Sequence, residues 1–166
     1  MDYGDGLENR CPCKGTVGSN PTPSATAFTA DLVAPCGMNC AVCSAYRAYV
    51  HQLPKKKGIN HCIGCRARGK QCAYLKKYCG RLGDGGFRFC SECPDFPCAH
   101  LSKIDERYRT RYNTSFIANL KQIRDAGIDI FLADQRERYR CPRCGGVLSI
   151  HSGKCYACDQ VDTWRG

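Results

Sequence analysis

The sequence predicts a small, irregular, metal-stabilised fold: an α-rich, cysteine-rich core, then a short helical segment and a C-terminal β-hairpin zinc ribbon. The chain of 166 residues contains 16 cysteines, a density at which metals or cross-links supply part of the stability. Many of these cysteines are spaced C-x2-C, as in metal-binding turns. The mean hydropathy is negative, so an extensive apolar core is not expected.

Cysteine at this density forms disulfides in secreted domains and binds metals in reducing compartments. Residues 1–10 contain neither a basic n-region nor an apolar h-region, which argues against a signal peptide. No apolar run reaches the roughly 18 residues that span a bilayer. We therefore predict a cytoplasmic protein with reduced, metal-bound cysteines and no membrane partner.

Composition divides the chain into four segments. Residues 1–31 are rich in Gly, Pro, Ser, Thr and Ala without a hydrophobic period, which predicts a disordered tail. Cys11 and Cys13 lie in this tail and receive no role. Residues 32–100 form the cysteine-rich metal-binding core, residues 101–138 the helical segment and residues 139–166 the zinc ribbon.

Two helices are predicted within the core. The first covers residues 41–53 and is ended by Pro54. The second covers residues 71–80, which places Cys72 and Cys79 on the same side of the helix, two turns apart.

The helical segment has the pattern of ordinary helical protein. One helix is predicted over residues 98–112. Asn113 is the predicted N-cap of a second helix, which Gly127 ends. Asp129 is the predicted cap of a short third helix. The apolar stripe of the second helix is formed by Phe116, Ile117, Leu120 and Ile123.

The C-terminal cysteines give the most specific signal in the chain. Two C-x2-C turns are separated by ten residues, with strands expected on either side of a turn at residues 151–153, and His151 is expected at the surface. All four ligand positions are filled by cysteine, so the predicted zinc site is closed and structural. Its ligands are Cys141, Cys144, Cys155 and Cys158.

The core supplies further candidate ligands. Thiolates in this pattern suit zinc, and they suit a [4Fe–4S] cluster equally well, particularly where proline is adjacent to a ligand. The spacing does not show which cysteines share a metal. The candidates are Cys36, Cys40, Cys43, Cys62, Cys65, Cys72, Cys79, Cys90, Cys93 and Cys98.

The formal charge of +10 counts every cysteine as neutral. Metal-bound thiolates are negative, so part of the basic surplus compensates the sites. A cluster of arginines with one aromatic residue, at the entrance of the ribbon, offers a second explanation, which is binding to RNA or DNA. The arginines are Arg136, Arg138, Arg140 and Arg143.

The ordered series P-C-G-M-N-C-A-V-C-S-A-Y, H-C-I-G-C, C-A-Y-L-K-K-Y-C and F-C-S-E-C-P-D-F-P-C resembles the cysteine-rich family catalogued as domain of unknown function 3795. The stretch from N-L-K-Q-I-R to C-P-R-C-G-G resembles the tail of many members, in which a helical segment leads into a zinc ribbon. The resemblance covers about residues 33–158. It implies that the ten core cysteines are metal ligands, and it implies no activity.

Three function classes follow from these patterns. The first is a zinc-rich module that binds or assembles with an unknown protein partner, and it is favoured because the sequence contains none of the common catalytic motifs. The second is an iron–sulfur redox or electron-transfer protein. The third is a protein that binds nucleic acid. An enzymatic role is not predicted.

Overall fold

The computed structural model describes residues 25–68, 79–83 and 86–161. Three sequence predictions fall outside these ranges in whole or in large part. They are the disordered tail predicted over residues 1–31, of which residues 1–24 with Cys11 and Cys13 are not described, the helix over residues 71–80, and the role of Cys72. Within the described part of the chain, no helix has both the length and the apolar character needed to cross a membrane.

The described residues form α-helices and short 3-10 turns, with no β-strand or sheet among them. The 3-10 turns cover Ala30–Leu32, Cys40–Val42 and Cys90–Glu92. The α-helices are α1 (Ser44–Val50), α2 (Gly80–Gly83), α3 (Ala99–Tyr112), α4 (Phe116–Ala126) and α5 (Ile128–Arg138).

The predicted C-terminal β-hairpin is wrong. This region contains only two isolated antiparallel bridges, Arg140 with Val147 and Leu148 with Cys155. These bridges do not extend into a β-ladder, because nearby backbone N–H groups donate to other carbonyls. The Gly145 N–H closes a turn on the Cys141 carbonyl (2.9 Å), and the Ile150 N–H donates to the core at the Val42 carbonyl (2.9 Å).

Helix α1 is shorter than predicted because the chain around the first cysteines is held by a side chain. The Asn39 carboxamide accepts from the Ala41 N–H (3.0 Å), which fixes the turn Cys40–Val42. Cys43 is then extended (φ −74°, ψ 130°), so α1 begins only at Ser44.

The caps of the helical segment also differ from prediction. Asn113 is the C-cap of α3, in the left-handed conformation (φ 49°) that asparagine tolerates. Ser115 is the N-cap of α4, where its hydroxyl accepts from the Ala118 N–H (3.0 Å). Helix α5 starts immediately after Gly127, one residue before the predicted cap Asp129.

Helix α4 occupies the centre of the packing. It contacts α3, α5 and the turn Cys90–Glu92, and its Phe116 and Leu120 are fully buried. Helix α5 packs in addition against the turn Ala30–Leu32. Phe28, just before that turn, is buried in the same core. The helical segment thereby supports both the cysteine-rich core and the residues that precede it.

Candidate metal centres

The four C-terminal cysteines converge on one point. Their Sγ atoms all lie within 4.8 Å of one another. The Cys141 and Cys158 sulfurs are 3.8 Å apart, and those of Cys144 and Cys155 are 3.5 Å apart. Disulfide sulfurs would be about 2.0 Å apart, and all the described cysteines are free thiols. The group can therefore hold a metal ion.

Two glycines allow the chain to wrap closely around these sulfurs. Gly145 adopts a positive φ (+70°), which a side chain would strain. A Cβ on Gly146 would lie 3.2 Å from the sulfurs of both Cys144 and Cys155. The second turn is closed by Asp159, whose carboxylate accepts from the Cys155 N–H (2.7 Å) and pairs with the guanidinium of Arg143.

The local electrostatics favour a thiolate on one side of this centre. Backbone N–H groups of Cys144 and Arg143 lower the pKa of the Cys141 thiol to about 6. Burial raises the pKa of Cys155 to about 12. A bound metal ion would supply the positive charge that stabilises the thiolate form of Cys155.

The loop between the two C-terminal turns is fixed to the core. The hydroxyl groups of Ser149 and Ser44 form a hydrogen bond (2.6 Å), and the Ser44 N–H donates to His151 Nδ1 (3.2 Å). The other ring nitrogen, Nε2, lies 3.1 Å from the Tyr108 hydroxyl. His151 was expected at the surface, but it is half-buried and joins α1, α3 and the C-terminal region. No local pattern identifies such a role, because its partners are distant in sequence.

Arg47 is buried between the core and the C-terminal centre, with 1% of its surface exposed. Its guanidinium bonds to His51 Nε2 (2.8 Å) and the Ala41 carbonyl (3.5 Å), and Nε has no hydrogen-bond partner among the described residues. Burial lowers the pKa of Arg47, and the nearby Tyr46 and Cys155 groups oppose that shift. A negative metal–thiolate centre at Cys155 would stabilise this buried cation.

The first group of core cysteines surrounds a cavity of about 120 Å³. Apolar side chains, including Tyr46, Ile104 and Phe116, complete its wall. The cysteines that line it are Cys36, Cys40, Cys43, Cys62 and Cys65.

A second group of core cysteines surrounds a smaller cavity of about 30 Å³. Its remaining wall is formed mainly by apolar side chains such as Leu82, Phe96 and Leu101. The cysteines are Cys79, Cys90, Cys93 and Cys98. In neither group do three described thiols approach one another within 4.8 Å, as they do at the C-terminus.

Burial and neighbouring cysteines shift the pKa values of two thiols in the first group. The Cys65 N–H donates to Cys40 Sγ (3.3 Å). A hydrogen bond with the Cys65 thiol and burial raise the pKa of Cys40 far above its usual range, whereas the Cys65 N–H lowers it. Burial raises the pKa of Cys43 to about 11. Ionising these buried thiols costs free energy unless a cation accompanies them.

The four arginines predicted to contact nucleic acid are exposed, and each has an intramolecular partner. Nucleic-acid binding stays a prediction. Arg136 lies over the Phe28 ring (5.7 Å), Arg138 donates to the Asn113 carbonyl (2.5 Å), Arg140 approaches Glu137 (3.9 Å) and Arg143 pairs with Asp159.

Comparison with known proteins bears on the cysteine-rich core. Residues 32–103 match a family model described as Protein of unknown function (DUF3795). This match supports the resemblance drawn from the core cysteine series, and it ends before the C-terminal cysteines. No curated protein and no solved structure matches the chain. The family description names no activity, so function is argued from the cysteine sites.

Proposed function

We propose that this protein is a metal-binding module that acts by binding or assembly, with zinc in its C-terminal four-cysteine centre. The observation that carries the proposal is the convergence of Cys141, Cys144, Cys155 and Cys158 within 4.8 Å. Zinc–sulfur bonds of about 2.3 Å in a tetrahedron place the sulfurs about 3.8 Å apart. The two sulfur separations, 3.8 Å for Cys141 with Cys158 and 3.5 Å for Cys144 with Cys155, agree with that geometry.

The role proposed for this zinc is structural. Four thiolates fill the tetrahedral shell and leave no position for a substrate or a water. The chain around the centre is attached to the core through Ser149 and His151. An ion at this point would hold the C-terminal region on the folded core and so present a fixed surface to a partner.

The test is elemental analysis of protein purified without oxygen, with zinc, iron and acid-labile sulfide measured per chain. Cys144→Ser is the informative variant because Cys144 is exposed and its loss removes little packing. We expect it to lose one zinc relative to the wild type, while Cys13→Ser, outside both cysteine turns, loses none. Absence of zinc from the wild type, or unchanged zinc in Cys144→Ser, would contradict the proposal.

A second candidate function is electron transfer through an iron–sulfur cluster in the core. The observation that favours it is that the core thiols surround cavities instead of meeting at single-ion distance. A cluster places its own iron and sulfide between the thiolates, so its ligands lie further apart than those of one zinc. A brown protein with absorbance near 400 nm and iron matched by sulfide supports this function, whereas colourless protein with zinc alone contradicts it.

A further inference from the structure

We propose that the core holds two separate thiolate metal centres, each with its own four cysteines. The inference rests on the proposed metal-binding function and deepens it by assigning ligands. The described core cysteines divide between two cavities, and none of them lines both. The first centre is assigned Cys40, Cys43, Cys62 and Cys65, and the second Cys79, Cys90, Cys93 and Cys98.

The first centre consists of two C-x2-C pairs that the fold brings face to face. Cys65 is hydrogen-bonded to the sulfur of Cys40 (3.3 Å). Cys43 is close enough to interact electrostatically with both Cys62 and Cys65. These interactions link all four residues, although the two pairs are about twenty residues apart in sequence. Paired thiols from two turns are the usual construction of a four-thiolate metal site.

Cys36 also lines the first cavity, and it is assigned no ligand role. The other four cysteines form two C-x2-C pairs, Cys40 with Cys43 and Cys62 with Cys65, whereas Cys36 stands outside both pairs. Four thiolates complete the coordination of a zinc ion or of a cubane cluster. The fifth thiol is therefore surplus to the proposed centre.

The second centre is built where three short elements meet. Cys79 precedes α2, Cys90 and Cys93 flank a 3-10 turn, and Cys98 is the N-cap of α3. The cavity that these thiols enclose is lined largely by apolar side chains. All four thiols are partly buried around this cavity, so one metal centre could take its ligands from all three elements.

Basic side chains lie at both proposed centres. Arg68 donates to the sulfur of Cys62 (3.4 Å), and Arg81, which pairs with Asp95 (3.4 Å), lines the second cavity. A centre of four thiolates around a divalent ion carries net negative charge, which nearby guanidinium groups stabilise.

The ligand chemistry is a thiophilic metal, either iron with sulfide or zinc alone. The first test adds ferrous iron with sulfide, or zinc in a parallel arm, to the full chain without oxygen, and measures bound metal. We expect Cys43→Ser and Cys93→Ser each to lose one core centre and the double variant to lose both. Cys36→Ser should keep both, as should the control Cys13→Ser. The metal retained in each arm identifies the chemistry.

A second measurement uses the wild-type protein, so that it does not depend on the folding of variants. Metal is removed with increasing chelator, exposed thiols are alkylated, and the modified cysteines are identified by mass spectrometry. We expect the cysteines of each centre to become reactive toward the alkylating agent at the same chelator concentration. The modified cysteines should therefore fall into two groups (cohorts) that match the assignment. Cohorts that mix the two sets, or metal loss in Cys36→Ser equal to that in Cys43→Ser, would overturn it.

The two proposals fail in distinguishable ways. A chain that binds zinc at its C-terminal cysteines but no metal in the core contradicts the two-centre assignment and leaves the proposed function intact. A chain that binds no metal anywhere contradicts both.

Discussion

Gly37 lies where the loop between Cys36 and Cys40 meets helix α4. Its φ is +85°, and a Cβ at this position would lie 2.6 Å from the Phe116 carbonyl oxygen and 2.8 Å from Leu120 Cγ. The Gly37 carbonyl in turn accepts from the Asn119 side chain (2.9 Å). A residue without a side chain therefore lets the first cysteine loop lie directly on the central helix.

Gly37→Ala should destabilise the protein by about 3 kcal/mol, because it combines backbone strain with a clash against a buried backbone atom. Gly153→Ala is the matched control, since Gly153 also has a positive φ (+66°) but has open space around it. The control should cost about 1 kcal/mol. Urea unfolding followed by circular dichroism measures both values. Equal losses of unfolding free energy in the two variants would contradict the clash expected at Gly37.

At the scale of elements, the junction between α3 and α4 depends on one buried carboxylate. Asp105 of α3 has only 4% of its surface exposed. Its Oδ1 accepts from the Ser115 hydroxyl (2.8 Å) and from the Ile117 N–H (2.9 Å). It thus supplies acceptors for the N-terminal turn of α4, where backbone donors lack partners within the helix. The negative charge is also favourable at that end of the helix.

Asp105→Ala should reduce the free energy of unfolding by about 2 kcal/mol, since it leaves the Ser115 hydroxyl and the Ile117 N–H without an acceptor. Asp105→Asn keeps an acceptor oxygen and should cost about half as much. Thermal or urea unfolding of the two variants checks the order. A carboxamide variant as destabilised as the alanine variant would show that charge, and not hydrogen bonding, dominates.

At the scale of the molecule, the C-terminal centre and the helical core are linked through few but direct contacts. The Ile150 N–H donates to the Val42 carbonyl, and Ser149 and His151 bond to Ser44 at the start of α1. Arg47 is buried on the same side, within electrostatic range of Cys155. Loss of negative charge from the C-terminal centre would therefore weaken the electrostatic stabilisation of Arg47 in α1.

Removal of the metal proposed for the C-terminal centre should lower the thermal midpoint of the whole helical signal. We expect chelation to shift the unfolding transition at 222 nm to lower temperature, because a metal bound only by the native state stabilises it by mass action. Cys144→Ser, without chelator, should give a smaller decrease, because chelation would also remove metal from the two proposed core centres. A transition unmoved by both treatments would mean that the C-terminal region folds independently of the core.

The sequence by itself determined which residues are candidate ligands, and it located α3 and α4 closely. Both results depend on local signals. Four cysteines in two C-x2-C turns need only one chain reversal to meet, and the apolar stripe of Phe116, Leu120 and Ile123 follows from the period of one helix. The match over residues 32–103 rests on the same ordered cysteine series.

Only the tertiary structure decided how the core thiols are grouped and what surrounds the C-terminal centre. The division between two cavities depends on which turns meet, and spacing does not encode that. The expected β-hairpin is replaced by isolated bridges because Ile150 bonds to Val42, more than a hundred residues earlier. His151 and Arg47 acquire their roles in the same way. Long-range contacts select among local alternatives of nearly equal energy, so the sequence pattern could not choose between them.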